Sequence, residues 1–335
     1  MTVPAVSSGN GGEKMSDLFD RIRDTGIIPV IKLTSVEQAV PLAKALLDGG
    51  IPAAEVTFRS AAAADGIKAI KKAYPEMLLG AGTVINKDFA QRAIDAGAEF
   101  IVSPGFNPEV IDFVLSKGVP MIPGVATPGE IEQALCKGLN VLKFFPAEAA
   151  GGVAMINAFA GPFSNVRFMA TGGINAKNMG EYFKCKNILA IGGSWMVKDD
   201  NELVTKLSRE AVSQMHGFTL GHIGVNGADE KDAAGIAKLF EIFGLLGKEG
   251  NASWFCNSAV DSTSFEVMKG NGKGVHGHIA IKTWNIERAL AYLARYGVEP
   301  DMSTAKYTGE AGKSPMSFVY TTMNIGGFAV HLNKA

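Results

Sequence analysis

The sequence predicts a (β/α)8 barrel, of the TIM-barrel α/β class, followed by a smaller α+β domain built from two βαβββ modules, and three observations carry that prediction. From about Asp17 to Gln214 one unit recurs eight times: a short β-branched run, a turn, then an amphipathic helix. The first run passes into PVIKLTS with no GxGxxG turn, the signature that an open doubly wound sheet usually carries. Beyond His216 the pattern changes to strand, helix and further strands, and the change repeats once.

The eight strand-like runs are GIIPVIKL, AAEVTFR, LLGAGTV, FIVSPG, PMIPGVA, VLKFFPAE, RFMATGG and ILAIGGSW. Helical patterns such as SVEQAVPLAKALLDGG and NKDFAQRAIDAG follow them. The units return roughly every 20 to 26 residues, about the length that a parallel strand and its crossover helix require. The helix NELVTKLSREAVSQM ends the barrel and HGFT reads as a junction. After it, TLGHIGVN, DEKDAAGIAKLFEIFG, ASWFCNS and TSFEVM form one module, and GVHGHIAIKT, NIERALAYLARYGVEP, SFVYTTMN and GGFAVHLNKA the second. The expected organisation is a flexible leader over residues 1–16, a barrel over 17–215 and the second domain over 216–335.

A chain of 335 residues exceeds the usual single-domain size, which agrees with two domains. With 47% hydrophobic and 19% charged residues it reads as compact, not disordered. A net charge of −1 with evenly spread Lys and Arg leaves no basic stripe for nucleic acid. Cys136, Cys185 and Cys256 are widely separated and odd in number, which argues for a reducing compartment and against a disulfide framework. MTVPAVSSGNGGEKM lacks the apolar core of a secretory signal, and no apolar run reaches the roughly 18 residues of a membrane span. The expected location is the cytoplasm, with no membrane partner.

Active sites of such barrels lie at the carboxyl ends of the strands. In the second run Glu55, Thr57 and Arg59 alternate with Val56 and Phe58, so the three polar side chains share one face. In the sixth, Lys143 and Phe145 share a face between Leu142 and Phe144, and Pro146 ends the run. An ammonium group inside an apolar strand is costly unless it is used. Desolvation by Phe144 and Phe145, with a cation such as Arg59 nearby, would release a fraction of free amine. Such an amine attacks ketones, and the imine formed from a 2-keto acid becomes an electron sink. Glu55 would then carry protons. The blander readings are a Lys143 that pairs passively with Glu55 or sits at a wet barrel mouth, and a Glu55 that only balances Arg59. Thr171-Gly172-Gly173 and Gly192-Gly193-Ser194 stand after strands seven and eight, where backbone N–H groups often meet a phosphate; plain turn glycines are the alternative. A metal-dependent route would need histidines or clustered carboxylates at the rim, and residues 17–215 contain no histidine.

EVTFR, GAGTV, FIVSPG, LKFFPAE, TGGI and GGSW fall in order at the expected strand ends. In these motifs the stretch from about 17 to 212 resembles the 2-keto-3-deoxy-6-phosphogluconate (KDPG) and 4-hydroxy-2-oxoglutarate (KHG) aldolases. The resemblance implies a cofactor-free class I aldolase that yields pyruvate and an aldehyde, with its imine on Lys143 and Glu55 as proton shuttle. It further implies Arg59 and Thr83 at the pyruvate carboxylate, Pro104 and Phe145 as walls, and Thr171 beside the substrate's polar chain. Gly172, Gly173, Gly192, Gly193 and Ser194 would hold a distal phosphate, and the barrels would assemble as a trimer. Lys32, at the end of strand one, stands where many relatives carry arginine and is a fallback imine candidate. A phosphosugar isomerase or epimerase, using Glu55 without Lys143, is the rival enzyme.

His216, His222, His276, His278 and His331 all lie after the barrel. His222 in GHIGVN matches His278 in GHIAIK, and Glu266 in SFEVM matches His331 in FAVHL, each pair at equivalent places in the two modules. One residue from each of four strands suits a divalent ion at a pseudo-twofold centre. Residues 217 to 335 resemble, more loosely, the glyoxalase or vicinal-oxygen-chelate superfamily. That likeness implies Zn, Ni, Mn or Fe at these positions, with His331 in place of the more usual glutamate. The competing reading is a metal-free sensor or assembly module.

Overall fold

The computed structural model describes residues 11–311 and 313–335, and the chain divides into two compact units between Met215 and His216. In the first unit nine strands lie side by side: β1 (Ile27–Ile31), β2 (Ala53–Thr57), β3 (Leu78–Gly82), β4 (Phe100–Val102), β5 (Met121–Ile122), β6 (Gly124–Val125), β7 (Val141–Phe144), β8 (Arg167–Thr171) and β9 (Ile188–Gly193). Their order is β5-β4-β3-β2-β1-β9-β8-β7-β6, and every pairing is parallel. The two end strands of this order, β5 and β6, are neighbours in the chain, joined by Pro123. The sheet therefore curls into a nearly closed barrel. PMIPGVA, read as one strand, is two because proline offers no N–H to the ladder. The Pro123 carbonyl still accepts from Lys143 N at 2.9 Å.

Helices cover the outside: α2 (Ala39–Asp48), α3 (Ala63–Ala73), α4 (Lys87–Asp95), α5 (Pro108–Ser116), α6 (Pro128–Cys136), α7 (Gly152–Phe159), α8 (Met179–Phe183) and α9 (Asn201–His216). Several start on side-chain caps that the sequence spells out. Asn86 accepts from Phe89 N, Asn107 from Glu109 N and Val110 N, and Thr127 with Glu130 forms a reciprocal capping box ahead of Pro128. Each such cap is worth about 1 kcal/mol.

One more helix precedes the barrel, α1 (Gly11–Thr25), so part of the expected leader, residues 11–16, is helical; residues 1–10 lie outside the described residues. Leu18 and Ile22 of α1 pack into the cluster of Ala53, Leu78, Phe100 and Val141, the first residues of β2, β3, β4 and β7. That apolar plug closes the amino end of the barrel. Polar chemistry is left the carboxyl end.

The second unit holds β10 (Thr219–Asn226), α10 (Glu230–Glu241), β11 (Leu245–Glu249), β12 (Ser253–Ser258) and β13 (Ser264–Met268), then β14 (Gly277–Thr283), α11 (Ile286–Ala294), β15 (Pro300–Tyr307), β16 (Met316–Ile325) and β17 (Phe328–Lys334). One mixed sheet takes the order β11-β12-β13-β10-β14-β17-β16-β15. Read outward from the central antiparallel pair β10–β14, both halves run first strand, last strand, middle strand, edge strand. α10 packs Ala233 and Ala237 against Cys256 and Val267, and α11 packs Ile286 and Ala289 against Met316, Val319 and Leu332. Among the described residues no helix is long and apolar enough to cross a membrane.

Candidate active site

Glu55 and Lys143 meet inside the barrel. Lys143 Nζ lies 3.0 Å from Glu55 Oε1 and 3.3 Å from Oε2, with Lys143 5% and Glu55 0% exposed. Strand alternation puts them there: Phe144, the next residue, points the other way into Phe159 and Phe168 of the outer layer. Gly82 on β3 makes room, because a Cβ there would come within 2.0 Å of Glu55 Oε1. The Lys143 ammonium also sits 5.4 Å from the Phe145 ring centre. Removing either partner of such a buried pair strands a charge, at a cost of about 3–5 kcal/mol.

Thr57 and Arg59 are bonded to each other. Thr57 is buried, but its hydroxyl donates to Ile31 O at 2.8 Å and accepts from Arg59 Nε at 3.1 Å. Arg59 is exposed past the end of β2, and the charged group in contact with Lys143 Nζ is the Glu55 carboxylate. Thr83, just after β3, has φ +57°, the one left-handed non-glycine among the described residues. Strain of that kind costs about 1–3 kcal/mol and concentrates at ligand sites. Pro104 and Phe145 are half-buried; Lys32 is exposed, on a rim cavity of about 530 Å³ shared with Thr34, Glu37 and Lys198.

At the mouth, Gly172 and Gly173 hold φ +105° and +81°. Their loop lies on the one after β7: Ala147 N donates to Thr171 O at 2.8 Å and Glu148 N to Gly172 O at 3.0 Å. A Cβ on Gly173 would strike Glu148 Cγ at 2.6 Å, and one on Gly192 would strike Thr171 Oγ1 at 2.4 Å. Thr171 Oγ1 is buried with no hydrogen-bond partner among the described residues. Ser194 is exposed at the end of the β9 loop. Sequence reasoning overlooked Glu148 and Tyr182: the buried Tyr182 hydroxyl donates to Glu148 Oε1 and braces this loop from α8. Burial, and then the bond to Glu148, push the Tyr182 phenol above its ordinary range, so it remains a donor. A lone Tyr in a five-residue helix gives no sequence signal.

In the second unit the four expected residues converge. His222 Nε2 and His278 Nε2 are 3.0 Å apart, and each is 3.1 Å from Glu266 Oε2. His331 joins them, with its donor atom within 4.8 Å of those of His222 and His278. The register explains the meeting: Gly224 of β10 pairs with Glu266, and Ala280 of β14 with His331, the same offset from His222 and from His278. Asn333 Oδ1 lies 2.9 Å from His331 Nδ1, and an Nδ1–H donating to it would leave Nε2 with a lone pair. Ser253 Oγ donates to Glu266 Oε1 at 2.6 Å. Burial pushes Glu266 up, but the bonds from His222, His278 and Ser253 outweigh it and hold the carboxyl well below its usual range. Burial, reinforced by His278 and His222, lowers His331 to about 4. Ser253 and Asn333, which support the cluster, were not foreseen.

A parallel barrel, plugged at one end and carrying a buried lysine–carboxylate pair towards the other, is the frame of a carbon–carbon lyase, and the comparisons with known proteins agree. Residues 18–214 match the family model described as KDPG and KHG aldolase, so the chain belongs to the KDPG and KHG aldolase family. It is 50% identical over 204 residues to the 2-dehydro-3-deoxy-phosphogluconate aldolase of Treponema pallidum (strain Nichols), covering 59% of this chain and 97% of that relative. Two solved structures are also similar. The KDPG aldolase of Zymomonas mobilis ZM4 with 3-phosphoglycerate shares 37% identity at a TM-score of 0.56, over 59% of this chain and 95% of that one. The KDPG aldolase of Legionella pneumophila, with pyruvate captured as a covalent carbinolamine intermediate, shares 39% identity at a TM-score of 0.56, over 57% and 96%.

Proposed function

We propose that the barrel cleaves KDPG, KHG or both to pyruvate and an aldehyde, glyceraldehyde 3-phosphate or glyoxylate, through an imine on Lys143. The observation that carries this reading is the buried Lys143–Glu55 pair. The Lys143 amine adds to the C2 carbonyl, and loss of water leaves an iminium. Glu55 removes the proton of the C4 hydroxyl; the C3–C4 bond breaks, its electrons form the enamine, and the aldehyde departs. Protonation at C3 and hydrolysis of the imine then release pyruvate and the free amine. Thr83 and Arg59 would bind the pyruvate carboxylate, with Pro104 and Phe145 as walls and Thr171 on the sugar chain. The backbone of Gly172, Gly173, Gly192 and Gly193, with Ser194, would bind the distal group. An isomerase or epimerase would have no use for Lys143 and is not favoured. Borohydride reduction in the presence of pyruvate is expected to fix one pyruvate on Lys143; a label on Lys32, or none, refutes the assignment. Relative cleavage rates of KDPG and KHG separate the two substrates.

For the second unit the proposal is a glyoxalase-like domain holding a divalent ion, Zn, Ni, Mn or Fe, on His222, Glu266, His278 and His331. Three donor atoms 3.0–3.1 Å apart are spaced as neighbouring ligands on one small cation with bonds of about 2.0–2.2 Å. The ion would supply Lewis acidity; the chain supplies three neutral imidazoles and one carboxylate, braced by Asn333 and Ser253. Stoichiometric metal in the full chain, lost on replacing His222 and His278 by Ala, is the expected result. A metal-free sensor or assembly module would contain none. The protein would work in the cytoplasm, as a trimer associated through its barrels.

A further inference from the structure

Thr57 ends β2 two residues after Glu55, on the same face of the strand, and is 1% exposed. A hydroxyl so deeply buried needs its bonds made within the protein. Its one proton goes to Ile31 O, the last carbonyl of β1, at 2.8 Å. Lone pairs are then all that it can turn to Arg59 Nε, 3.1 Å away, so towards the arginine it acts as an acceptor alone. The Thr57 side chain therefore ties the end of β1 to a guanidinium that lies beyond the end of β2.

An exposed arginine past the end of its strand has many rotamers open to it, and holding a ligand would mean giving them up. Here the choice is narrowed beforehand. Phe58 N donates to Gly82 O at 2.8 Å, which continues the β2–β3 pairing by one bond and hangs Arg59 from the same backbone as Thr83. The buried Phe58 ring packs on Phe89 of α4, ring centres 5.6 Å apart, with the Arg92 guanidinium 5.8 Å from its own centre. Phe58 is thus turned to the outer layer, and the Thr57 hydroxyl draws the Arg59 guanidinium to the opposite side. With Nε engaged, the free edge of that guanidinium is its Nη1–Nη2 pair, and neither atom has a hydrogen-bond partner among the described residues. Two parallel N–H donors on one planar edge are the fork that a carboxylate accepts.

We infer that Thr57 is a positioning residue: its hydroxyl aims Arg59, and Arg59 holds the carboxylate that pyruvate, KDPG and KHG all carry next to their keto carbon. The inference rests on the carboxylate-binding role proposed for Arg59. Borohydride trapping on Lys143 in the full chain, over a range of pyruvate concentrations, gives a half-saturation that does not depend on how much of the sample is folded. Thr57→Val keeps the shape of the side chain and removes the acceptor, and should raise that half-saturation about fivefold; Thr57→Ser keeps the hydroxyl and should stay within about twofold of the parent. KM for KDPG and KM for KHG should rise by the same factor with kcat within about twofold, because the carboxylate is held alike in ground and transition states. In an Arg59→Ala background Thr57→Val should have no further effect. Thr57→Ala carries the same comparisons if the valine variant does not fold. An Arg59→Ala chain with unchanged half-saturation overturns the role of Arg59 and this inference together. If Arg59→Ala weakens pyruvate but Thr57→Val does not, if the Thr57→Val effect persists without Arg59, if it falls on kcat instead of KM, or if Thr57→Ser fails to restore affinity, this inference alone is overturned.

Discussion

Single residues at the barrel centre have chemical reasons to be what they are. Glu55 faces both Lys143 and the backbone of Gly82, so the carboxylate has one place to lie. Glu55→Gln keeps the shape and removes the base. Imine trapping with pyruvate should persist, while cleavage of the 2-keto acid falls by about 10²–10⁴-fold, the usual worth of a general base. Equal loss of both would mean that the carboxylate only places the lysine. Both residues were legible in the sequence, because a charged residue on the inward face of an apolar strand demands a partner. Strand alternation says which face a side chain takes but not where a strand stops. β2 ends at Thr57, and Arg59 lies beyond it, exposed but with its Nε on the Thr57 hydroxyl.

At the scale of elements, the β8–α8 loop is held by contacts that no local pattern announces. Its glycines press against Pro146 and Glu148, and Tyr182 reaches back from α8 to the Glu148 carboxylate. Tyr182→Phe removes that bond to a charged acceptor, worth about 1.5–3 kcal/mol, from the frame of the loop. The KM for KDPG should rise several-fold at a nearly constant kcat, with KHG, which lacks a phosphate, scarcely affected. Steady-state kinetics on both substrates would check this, and parallel losses on both would point to a general loss of folding instead. The helices were legible through their caps and 3.6-residue pattern. Strands β11 and β15 were not singled out, because these edge strands are largely exposed and carry little apolar alternation.

Over the whole molecule, acid should act first through buried histidines of the second unit. His216 is 2% exposed, stacked on Phe218 and close to Tyr292, and neither ring nitrogen has a hydrogen-bond partner among the described residues. Burial, aided by Arg288 and Arg295, lowers it from 6.5 to about 3. Between those values the unfolded chain binds a proton that the folded chain refuses. The stability is therefore complete above pH 6.5 and is lost as the pH falls towards 3. Between pH 7 and pH 5 this one group should cost about 2 kcal/mol. Urea unfolding of a Trp195→Phe background, in which Trp254 and Trp284 report on the second unit, should show that loss, and adding His216→Phe should reduce it. A pH dependence unchanged by His216→Phe would exclude this origin.

The sequence by itself determined the alternation of strand and helix, the residues that face inward and the pairing of equivalent positions in the two modules, because these follow from periods of 2 and 3.6 along one chain. Tertiary structure alone decided which of them touch. Lys143 finds Glu55 across 88 residues, β5 and β6 join the two ends of one sheet through Pro123, and Glu266 meets His222 and His278 because β13 pairs with β10 in one register. Ring closure and strand register are set by the packing of the whole core, and neither is encoded in any one segment.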